Sequence, residues 1–441
     1  MSEGLAVPGA RLISPADLPD NFTRSLYKIA PYRGCAHGCR YCDGRAERYY
    51  VEGDFERDIV ERLDLPARLE RDLGRVRESG MVAFGSGTTD PYQPREADLR
   101  ITERCARLLA DYADDADHGD GASFAYGSTG RGAAPRLPAL VMTKSDLALR
   151  DLELWKRVAA KSGFVLLVSI AGTDEGVRRE MEPGAASYER RFEMARLFKE
   201  AGCAVGILAM PFLPGLTDSS DSIRSVYAAA AAAGADFVMP GGLTLRPGRQ
   251  KDFYLRALEA RDSSLLRSTL ELYREERPSG APTAQARREL DSRIAPIRRA
   301  LGMPWLLPHR AFAAILPAHD SFRVLLRDMI ELYGERGVDT GALERGAGRY
   351  DAWLVGSRRH FRRRRNLGPA WLELRLAEAL ASGELAEVLD NERLCRFARR
   401  VIAEGAVLDY ASLGLSNAKG SEDPLPPQPS NGSPRGTTVW G

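Results

Sequence analysis

The sequence predicts an α/β protein whose parallel sheet forms an incomplete six-stranded barrel, followed by a helical C-terminal region. Six short apolar runs alternate with amphipathic helical stretches over residues 22–249, which is the pattern of repeated βα units. Beyond residue 249, apolar residues recur at helical spacing and strand-like runs nearly vanish. Together these observations predict a partial (βα)6 TIM-like barrel with a helical addition.

The apolar runs predict the strands, and the stretches between and after them predict the helices. The apolar runs are Leu26–Pro31, Met81–Ser86, Ala139–Thr143, Val165–Ile170, Val205–Phe212 and Phe237–Leu245. The helical stretches between them are Arg57–Arg77, Thr102–Ala113, Ser187–Ala201 and Ser222–Ala233. Those of the C-terminal region are Asp252–Glu275, Ala284–Leu301, Ser321–Arg336, Trp371–Ala381 and Glu384–Glu404. Alternation of strand and helix favours a parallel sheet.

The composition divides the chain into segments. Residues 1–21 form an N-terminal extension, 22–249 the barrel-like core and 250–415 the helical region. Residues 114–135 are rich in Gly, Ala, Ser and Asp, which predicts a flexible surface insertion before the third strand. Residues 416–441 are rich in Pro, Ser and Gly, which predicts a disordered tail.

Charge and hydropathy limit the classes of partner. Lys and Arg total 63 and Asp and Glu total 61, giving a formal net charge of +2. A near-neutral chain has no global field that attracts nucleic acid, so any such site must be a local patch. Residues 1–21 lack a basic start and an apolar run, and the stretch around Ala228–Ala233 is too short to span a bilayer. We therefore expect a cytoplasmic protein without a membrane partner.

Three of the six cysteines, Cys35, Cys39 and Cys42, lie within eight residues. Clustered cysteines in a cytosolic chain indicate metal binding or catalysis. Three thiolates on one loop can each bind a separate iron of a cubane and leave the fourth iron without a protein ligand. Gly34 and Gly38 allow the loop to wrap closely. The loop follows the first predicted strand, at the end of the sheet where such proteins carry active sites.

A structural zinc site is the alternative for this loop. Zinc usually takes four ligands, often as two separated pairs. His37 lies between two of the cysteines, too close to complete a comfortable tetrahedron, and no second pair follows at zinc-finger spacing. The zinc hypothesis corresponds to a non-catalytic, metal-stabilised nucleic-acid-binding protein.

The Cys-x3-Cys-x-aromatic-Cys spacing, with Tyr41 as the aromatic residue, resembles the signature of the radical S-adenosylmethionine (SAM) superfamily. This resemblance implies a [4Fe-4S] cluster on Cys35, Cys39 and Cys42 whose open iron binds the amino and carboxylate groups of SAM. It also implies reductive cleavage of SAM to a 5′-deoxyadenosyl radical that abstracts hydrogen from a substrate. Tyr41 would then pack near the adenine, and a low-potential donor of the flavodoxin or ferredoxin type would supply the electron.

Five segments are similar, in the same order, to proteins related to spore photoproduct lyase, often described as DNA repair photolyases. The segments are Tyr32–Cys42, Gly85–Pro94, Thr143–Ser145, Glu182–Arg190 and Pro211–Gly215. The similarity covers roughly residues 22–245 and does not extend to the C-terminal third.

The resemblance also implies a set of residues that bind SAM or substrate. They are Tyr41, Thr89, Asp90, Lys144, Ser169 and Arg190. Thr89 and Asp90 would suit the SAM amino group, although a turn and helix cap before a proline would also explain them. The structural alternatives are a solvated strand end for Lys144, a buried hydroxyl for Ser169 and a surface ion pair for Arg190.

One position departs from the family pattern. In spore photoproduct lyase a cysteine after the second strand returns a hydrogen to the repaired thymine, and the matching position here is Gly87. Cys105 lies further on, inside a predicted helix, where a buried thiol is expected. The departure argues against the same repair reaction and favours a relative with a different substrate.

A basic segment gives the best indication of a nucleic-acid partner. Residues 357–366 contain six arginines with Phe361 interleaved, and Arg358–Arg365 could contact phosphates and stack on bases. The alternative is a solvated basic turn balanced by acidic helices such as Glu384–Asp390. Two substrate hypotheses follow. A nucleic acid is the favoured class, and a peptide or small metabolite is the alternative.

Overall fold

The computed structural model describes residues 13–49, 53–85, 89–115 and 134–416, with the backbone of residues 422–424. Gly87, residues 1–12, the centre of the insertion (residues 116–133) and most of the predicted tail lie outside these residues. The proposed boundaries after residues 21, 249 and 415 stay predictions.

A six-stranded parallel sheet carries the described part of the fold, with strand order β1-β4-β5-β6-β7-β8. The strands of the described residues are β1 (Ser25–Ile29), β2 (Tyr32–Arg33), β3 (Val60–Glu61), β4 (Met81–Phe84), β5 (Ala139–Thr143), β6 (Phe164–Ser169), β7 (Ala204–Phe212), β8 (Phe237–Gly242), β9 (Val407–Leu408), β10 (Gly414–Ser416) and β11 (Glu422–Pro424). β2 pairs with β3, and β9, β10 and β11 form a small antiparallel sheet. All six predicted strands are present and parallel, so the predicted α/β class with a partial barrel is confirmed.

Helices follow most of the strands and fill the C-terminal region. They are α1 (Leu65–Leu73), α2 (Glu96–Leu99), α3 (Ile101–Asp115), α4 (Leu152–Lys161), α5 (Glu175–Met181), α6 (Tyr188–Glu200), α7 (Ser220–Ala232), α8 (Arg249–Arg261), α9 (Ser263–Leu272), α10 (Ala284–Ala300), α11 (His309–Ala313), α12 (Ala318–Glu335), α13 (Gly341–Arg363), α14 (Trp371–Ser382), α15 (Glu384–Leu389) and α16 (Glu392–Ala398). Among the described residues, no helix combines the length and apolar character needed to cross a bilayer.

The two faces of the sheet pack against different parts of the chain. Side chains alternate along each strand, so Leu166 of β6 faces one layer and Leu167 the other. Leu166 packs in a core with helices that follow the strands, including Trp155 of α4. Leu167 packs in a second core with the C-terminal helices, including Phe312 and Phe322. The helical region therefore covers one face of the sheet.

Several helices differ from the prediction for local reasons, and the stretch Asp252–Glu275 is divided at Asp262 between α8 and α9. The helix predicted over Arg57–Arg77 is only α1, since Pro66 can occupy only the first turn of a helix. The stretch Glu384–Glu404 is divided after α15 because Asp390 adopts a left-handed φ of +44°. Helix α13, with 23 residues, was not predicted. Its glycines weaken the helical pattern, but Tyr350, among other side chains, is fully buried by tertiary packing.

Candidate active site

The cysteine loop lies between β2 and a short 3₁₀ helix, and its backbone is held from both sides. The Cys35 amide donates to the carbonyl of Phe55 at 3.0 Å. Gly34 and Gly38 have φ of +84° and +65°, which side-chain-bearing residues rarely adopt. A Cβ at Gly34 would lie 2.9 Å from the Phe55 carbonyl oxygen. The glycines therefore allow the tight path of the loop.

The thiols of Cys35, Cys39 and Cys42 form no disulfide. Cys35 and Cys39 are buried and Cys42 is half-buried. Burial raises the pKa of all three thiols, and a bound metal would favour their thiolate forms. Within the described ranges, no three Cys, His, Asp or Glu side chains are arranged around one metal ion. Three thiol donors are one fewer than zinc usually takes, and they suffice for a cluster in which each thiolate would bind its own iron.

A second segment packs directly on the cysteine loop. The amide of Gly184 donates to the carbonyl of His37 at 2.9 Å, and the amide of Arg40 donates to the carbonyl of Met181 at 2.9 Å. A Cβ at Gly184 would lie 2.7 Å from the carbonyl oxygen of Ala36, closer than real Cβ contacts allow. Only glycine fits here without moving the loop.

We expect Gly184→Ala to lower the iron content of anaerobically purified protein, because the added methyl group pushes the backbone of Ala36 away. Gly74→Ala is the control, since a Cβ at Gly74 would meet no atom within 4 Å. Iron and sulfide analysis of both variants checks the prediction. Equal iron content in the two variants would contradict it.

Asp90 joins the ends of neighbouring strands beneath the loop. One carboxylate oxygen accepts hydrogen bonds from the Thr143 hydroxyl at 2.7 Å and the Tyr92 amide at 2.8 Å. The other accepts from the Lys144 amide at 2.7 Å. The Thr89 hydroxyl donates to the carbonyl of Gly34 at 2.8 Å. Thr89 and Asp90 therefore hold backbone in place, and their contact with SAM stays a prediction.

Glu182 is the centre of a buried polar network beside the loop. One carboxylate oxygen accepts from the Tyr41 hydroxyl and lies 3.3 Å from the Lys144 ammonium. The other lies 2.6 Å from the Arg191 guanidinium. Lys144 reaches the Ser169 hydroxyl at 2.5 Å, and Arg191 donates to the Ser169 carbonyl at 2.9 Å. The structure therefore brings together Tyr41, Lys144 and Ser169, three of the predicted site residues.

The network sets one carboxylate against two cations, Lys144 and Arg191. Burial opposes the charged form of Glu182, but the positive charges of Arg191 and Lys144 outweigh burial and lower its pKa to about 2. The side chains of Glu182 and Arg191 are fully buried, whereas that of Lys144 is 16% exposed. Lys144 is thus the member of the network whose charge can reach a bound anion.

Arg190 does not join this site. Its side chain is 49% exposed and pairs with Asp146 at 3.0 Å and with Glu193 at 2.5 Å, as in the surface ion-pair alternative. The buried arginine is Arg191, one residue later. Ser187 caps α6 by accepting from the Arg190 amide at 3.2 Å, and successive helical residues point about 100° apart. The helix phase therefore turns Arg191 inward, which local sequence similarity did not reveal.

Comparison with known proteins identifies the family. The model of the Radical SAM superfamily matches residues 29–225. An uncharacterized protein of Mycobacterium tuberculosis is 30% identical over 301 residues, which cover 66% of this chain and 80% of the relative. The chain belongs to the radical SAM superfamily. An uncharacterized protein of Methanocaldococcus jannaschii is 24% identical over 217 residues, which cover 49% of this chain and 70% of that protein.

Solved structures of radical SAM enzymes are also similar. Spore photoproduct lyase complexed with dinucleoside spore photoproduct has a TM-score of 0.43 and 15% identity, covering 67% of this chain and 78% of that chain. A radical SAM methyltransferase from Kitasatospora setae has a TM-score of 0.34 and 18% identity, covering 53% of this chain and 38% of that chain.

The predicted superfamily is therefore confirmed, and the chain is a radical SAM enzyme. Enzymes of this superfamily use an iron–sulfur cluster and SAM. The alternative of a non-catalytic, metal-stabilised nucleic-acid-binding protein is wrong. The matched residues contain the cysteine loop and the whole Glu182 network.

The basic segment of this radical SAM enzyme is not an open row of arginines. Arg358 is fully buried, 2.6 Å from Asp320 and 3.3 Å from Glu78. Arg362 lies 2.7 Å from Glu78 and 3.0 Å from Asp17. The prediction that Arg358–Arg365 as a whole faces a partner is wrong for these two members, because internal carboxylates neutralise them.

The basic segment and the cysteine loop also lie at opposite ends of the sheet. Glu78, which pairs with Arg358 and Arg362, precedes β4, whereas the cysteine loop follows β1. The two strands are parallel, so one site is at the amino ends and the other at the carboxyl ends. Strands of this length separate their ends by about 13–16 Å.

Proposed function

We propose that this chain binds a [4Fe-4S] cluster through Cys35, Cys39 and Cys42 and cleaves SAM reductively. The cluster and SAM together supply a 5′-deoxyadenosyl radical that abstracts hydrogen from a substrate. The strongest support is the buried network that places Lys144 and Ser169 beside Tyr41 of the cysteine loop.

The residues of the network have distinct proposed roles. The Lys144 ammonium, which is partly exposed, would bind the SAM carboxylate, with the Ser169 hydroxyl beside it. Tyr41, whose hydroxyl is fixed by Glu182, would present its ring to the adenine. Arg191 holds Glu182 in place and does not reach the ligand itself, because its side chain is fully buried. In each proposed role, a neighbouring side chain of the Glu182 network fixes the orientation of the residue that would contact SAM.

Two observations favour a peptide or small metabolite over a nucleic acid as substrate. The basic segment lies at the amino ends of the strands, away from the cysteine loop. Two of its arginines are neutralised by carboxylates of the same chain. Gly87, at the hydrogen-donor position of spore photoproduct lyase, also disfavours repair of that photoproduct.

We expect anaerobically prepared protein to contain iron and sulfide and to release 5′-deoxyadenosine when given dithionite and SAM. Cys39→Ala should abolish the release, because it removes one of the three thiolate ligands. Cys395→Ala is the matched control, since Cys395 lies in α16 of the helical region. Chromatographic measurement of 5′-deoxyadenosine checks the prediction.

Two results would overturn this proposal. One is protein without iron and sulfide after preparation under anaerobic conditions. The other is unchanged release of 5′-deoxyadenosine after replacement of all three cysteines of the loop. A flavodoxin or ferredoxin in place of dithionite then tests the proposed electron donor.

A further inference from the structure

A cavity of about 490 Å³ lies at the open edge of the six-stranded sheet, where β8 has no neighbouring strand on one side. Its walls come from the end of β8, from α10 and from α12. Most of the wall is apolar and includes Phe212, Leu290 and Trp305. Cavities of this size and character typically hold small organic molecules.

The cavity adjoins the proposed SAM site. Leu243 and Tyr273 line the cavity and also pack in the same apolar cluster as Tyr41 of the cysteine loop. The Gln250 side chain joins the two regions, because its amide donates to the carbonyl of Tyr41 at 3.1 Å and to that of Thr244 at 2.8 Å. The cavity therefore lies at the carboxyl end of β8, the same end of the sheet as the cysteine loop and opposite the basic segment.

Negative charge predominates among the residues that line the cavity. The charged residues are Asp218, Arg287, Glu289, Asp291, Arg293, Arg298, Glu331 and Glu335. Two of the three arginines are already neutralised, Arg293 by Asp218 at 3.1 Å and Arg298 by Glu335. The remaining carboxylates outnumber the one remaining guanidinium group, that of Arg287. The negative charge of the cavity therefore disfavours phosphate and favours a cation.

Glu331 is the carboxylate best placed to bind that cation. It lies one turn before Glu335 on the same face of α12, and Glu335 accepts from the indole of Trp305 at 3.1 Å. Glu331 is half-buried and makes no hydrogen bond or ion pair with any residue that the structure describes. Burial, with a contribution from Asp328, raises the pKa of Glu331, and the positive charge of Arg24 opposes this shift without forming an ion pair with Glu331.

We propose that this cavity binds the substrate, a small and largely apolar molecule whose ammonium or guanidinium group pairs with Glu331. The inference rests on the proposed function, because it gives that reaction its substrate class. An aromatic wall beside an unpaired carboxylate is the combination that recognises an organic cation. The cation could belong to a free amine or to a basic side chain of a peptide.

Ligand-observed NMR on the cluster-loaded protein tests this inference with matched probes. Phenethylamine and tryptamine represent free amines, 3-phenylpropanoate and indole-3-propionate are their anionic counterparts, and acetyl-Ala-Lys-Ala-amide represents a peptide. We expect at least one amine to bind and the anions to bind at least about tenfold more weakly. A preference for the lysine peptide over both free amines would identify a peptide as the source of the cation.

Variants of the cavity complete the test. Glu331→Gln should weaken amine binding about tenfold, whereas Glu271→Gln, at an exposed position of α9 outside the cavity lining, should leave it unchanged. Ala286→Phe, which fills the cavity without removing a charge, should also block binding. Thermal melts confirm that each variant is folded.

The inference is overturned if no amine binds, if the anions bind as tightly, or if Glu331→Gln and Glu271→Gln behave alike. Those results, with normal iron content and SAM cleavage, would leave the proposed function intact. Amine binding without iron or SAM cleavage would instead reject the proposed function.

Discussion

Glu182→Gln is expected to lower the free energy of unfolding by about 3–5 kcal/mol, because it leaves the fully buried Arg191 without its counter-charge. Glutamine keeps the shape of the side chain, so the loss reports on charge rather than on packing. The same change should weaken SAM binding, since the neutral amide no longer attracts Lys144 by its charge and has one acceptor oxygen in place of two. Chemical denaturation and equilibrium SAM binding measure the two effects separately.

The matched control is Glu193→Gln. Glu193 pairs with Arg190 on the exposed side of α6, where an ion pair contributes about 0–1 kcal/mol. A loss of stability that is equal in the two variants would show that the buried ion pair of Glu182 and Arg191 does not stabilise the fold more than an exposed pair does. Normal SAM binding by a folded Glu182→Gln protein would reject the positioning role alone.

The difference between wild type and Glu182→Gln should also depend on pH. The folded pKa of Glu182, about 2, lies below its ordinary value of 4.5, so its charge stabilises the fold above pH 4.5. As the pH falls from 4.5 toward 2, that contribution is lost in the wild type only. Denaturation midpoints measured across this interval should therefore converge.

Arg358→Met is expected to destabilise the protein by about 3–5 kcal/mol, because Asp320 and Glu78 are both buried and would lose a cationic partner. Arg358 on α13 links the helical region to the segment before β4. We therefore expect the denaturation midpoint to fall while iron content at low temperature stays normal. Midpoint shifts in urea give the measurement.

Arg363→Met separates this structural role from nucleic-acid binding. Arg363 is exposed at the end of α13, and its replacement should change stability by less than about 0.5 kcal/mol. If Arg358→Met were as stable as Arg363→Met, the buried pairs would not hold the helical region to the core. Salt-dependent binding of a single-stranded oligonucleotide, lost in Arg363→Met, would restore the nucleic-acid hypothesis.

Local sequence patterns were sufficient to predict the strands and to identify the cysteine loop. A buried parallel strand is a short run of apolar residues, and β5 has the bounds that the sequence predicts. The thiol spacing is a property of a single loop, so Cys35, Cys39 and Cys42 could be identified without tertiary information. Helix α13 was missed because glycines dilute its periodicity, and only burial against other helices stabilises it.

The sequence by itself determined the α/β class, the six parallel strands and the three-cysteine loop, because each depends on neighbouring residues. Only the tertiary structure decided that Arg191 rather than Arg190 is buried, and that Arg358 pairs with Glu78, 280 residues away. It alone also placed an unpaired Glu331 in a cavity beside β8. The physical reason is that ion pairing and burial depend on distances between remote segments, which no local spacing encodes.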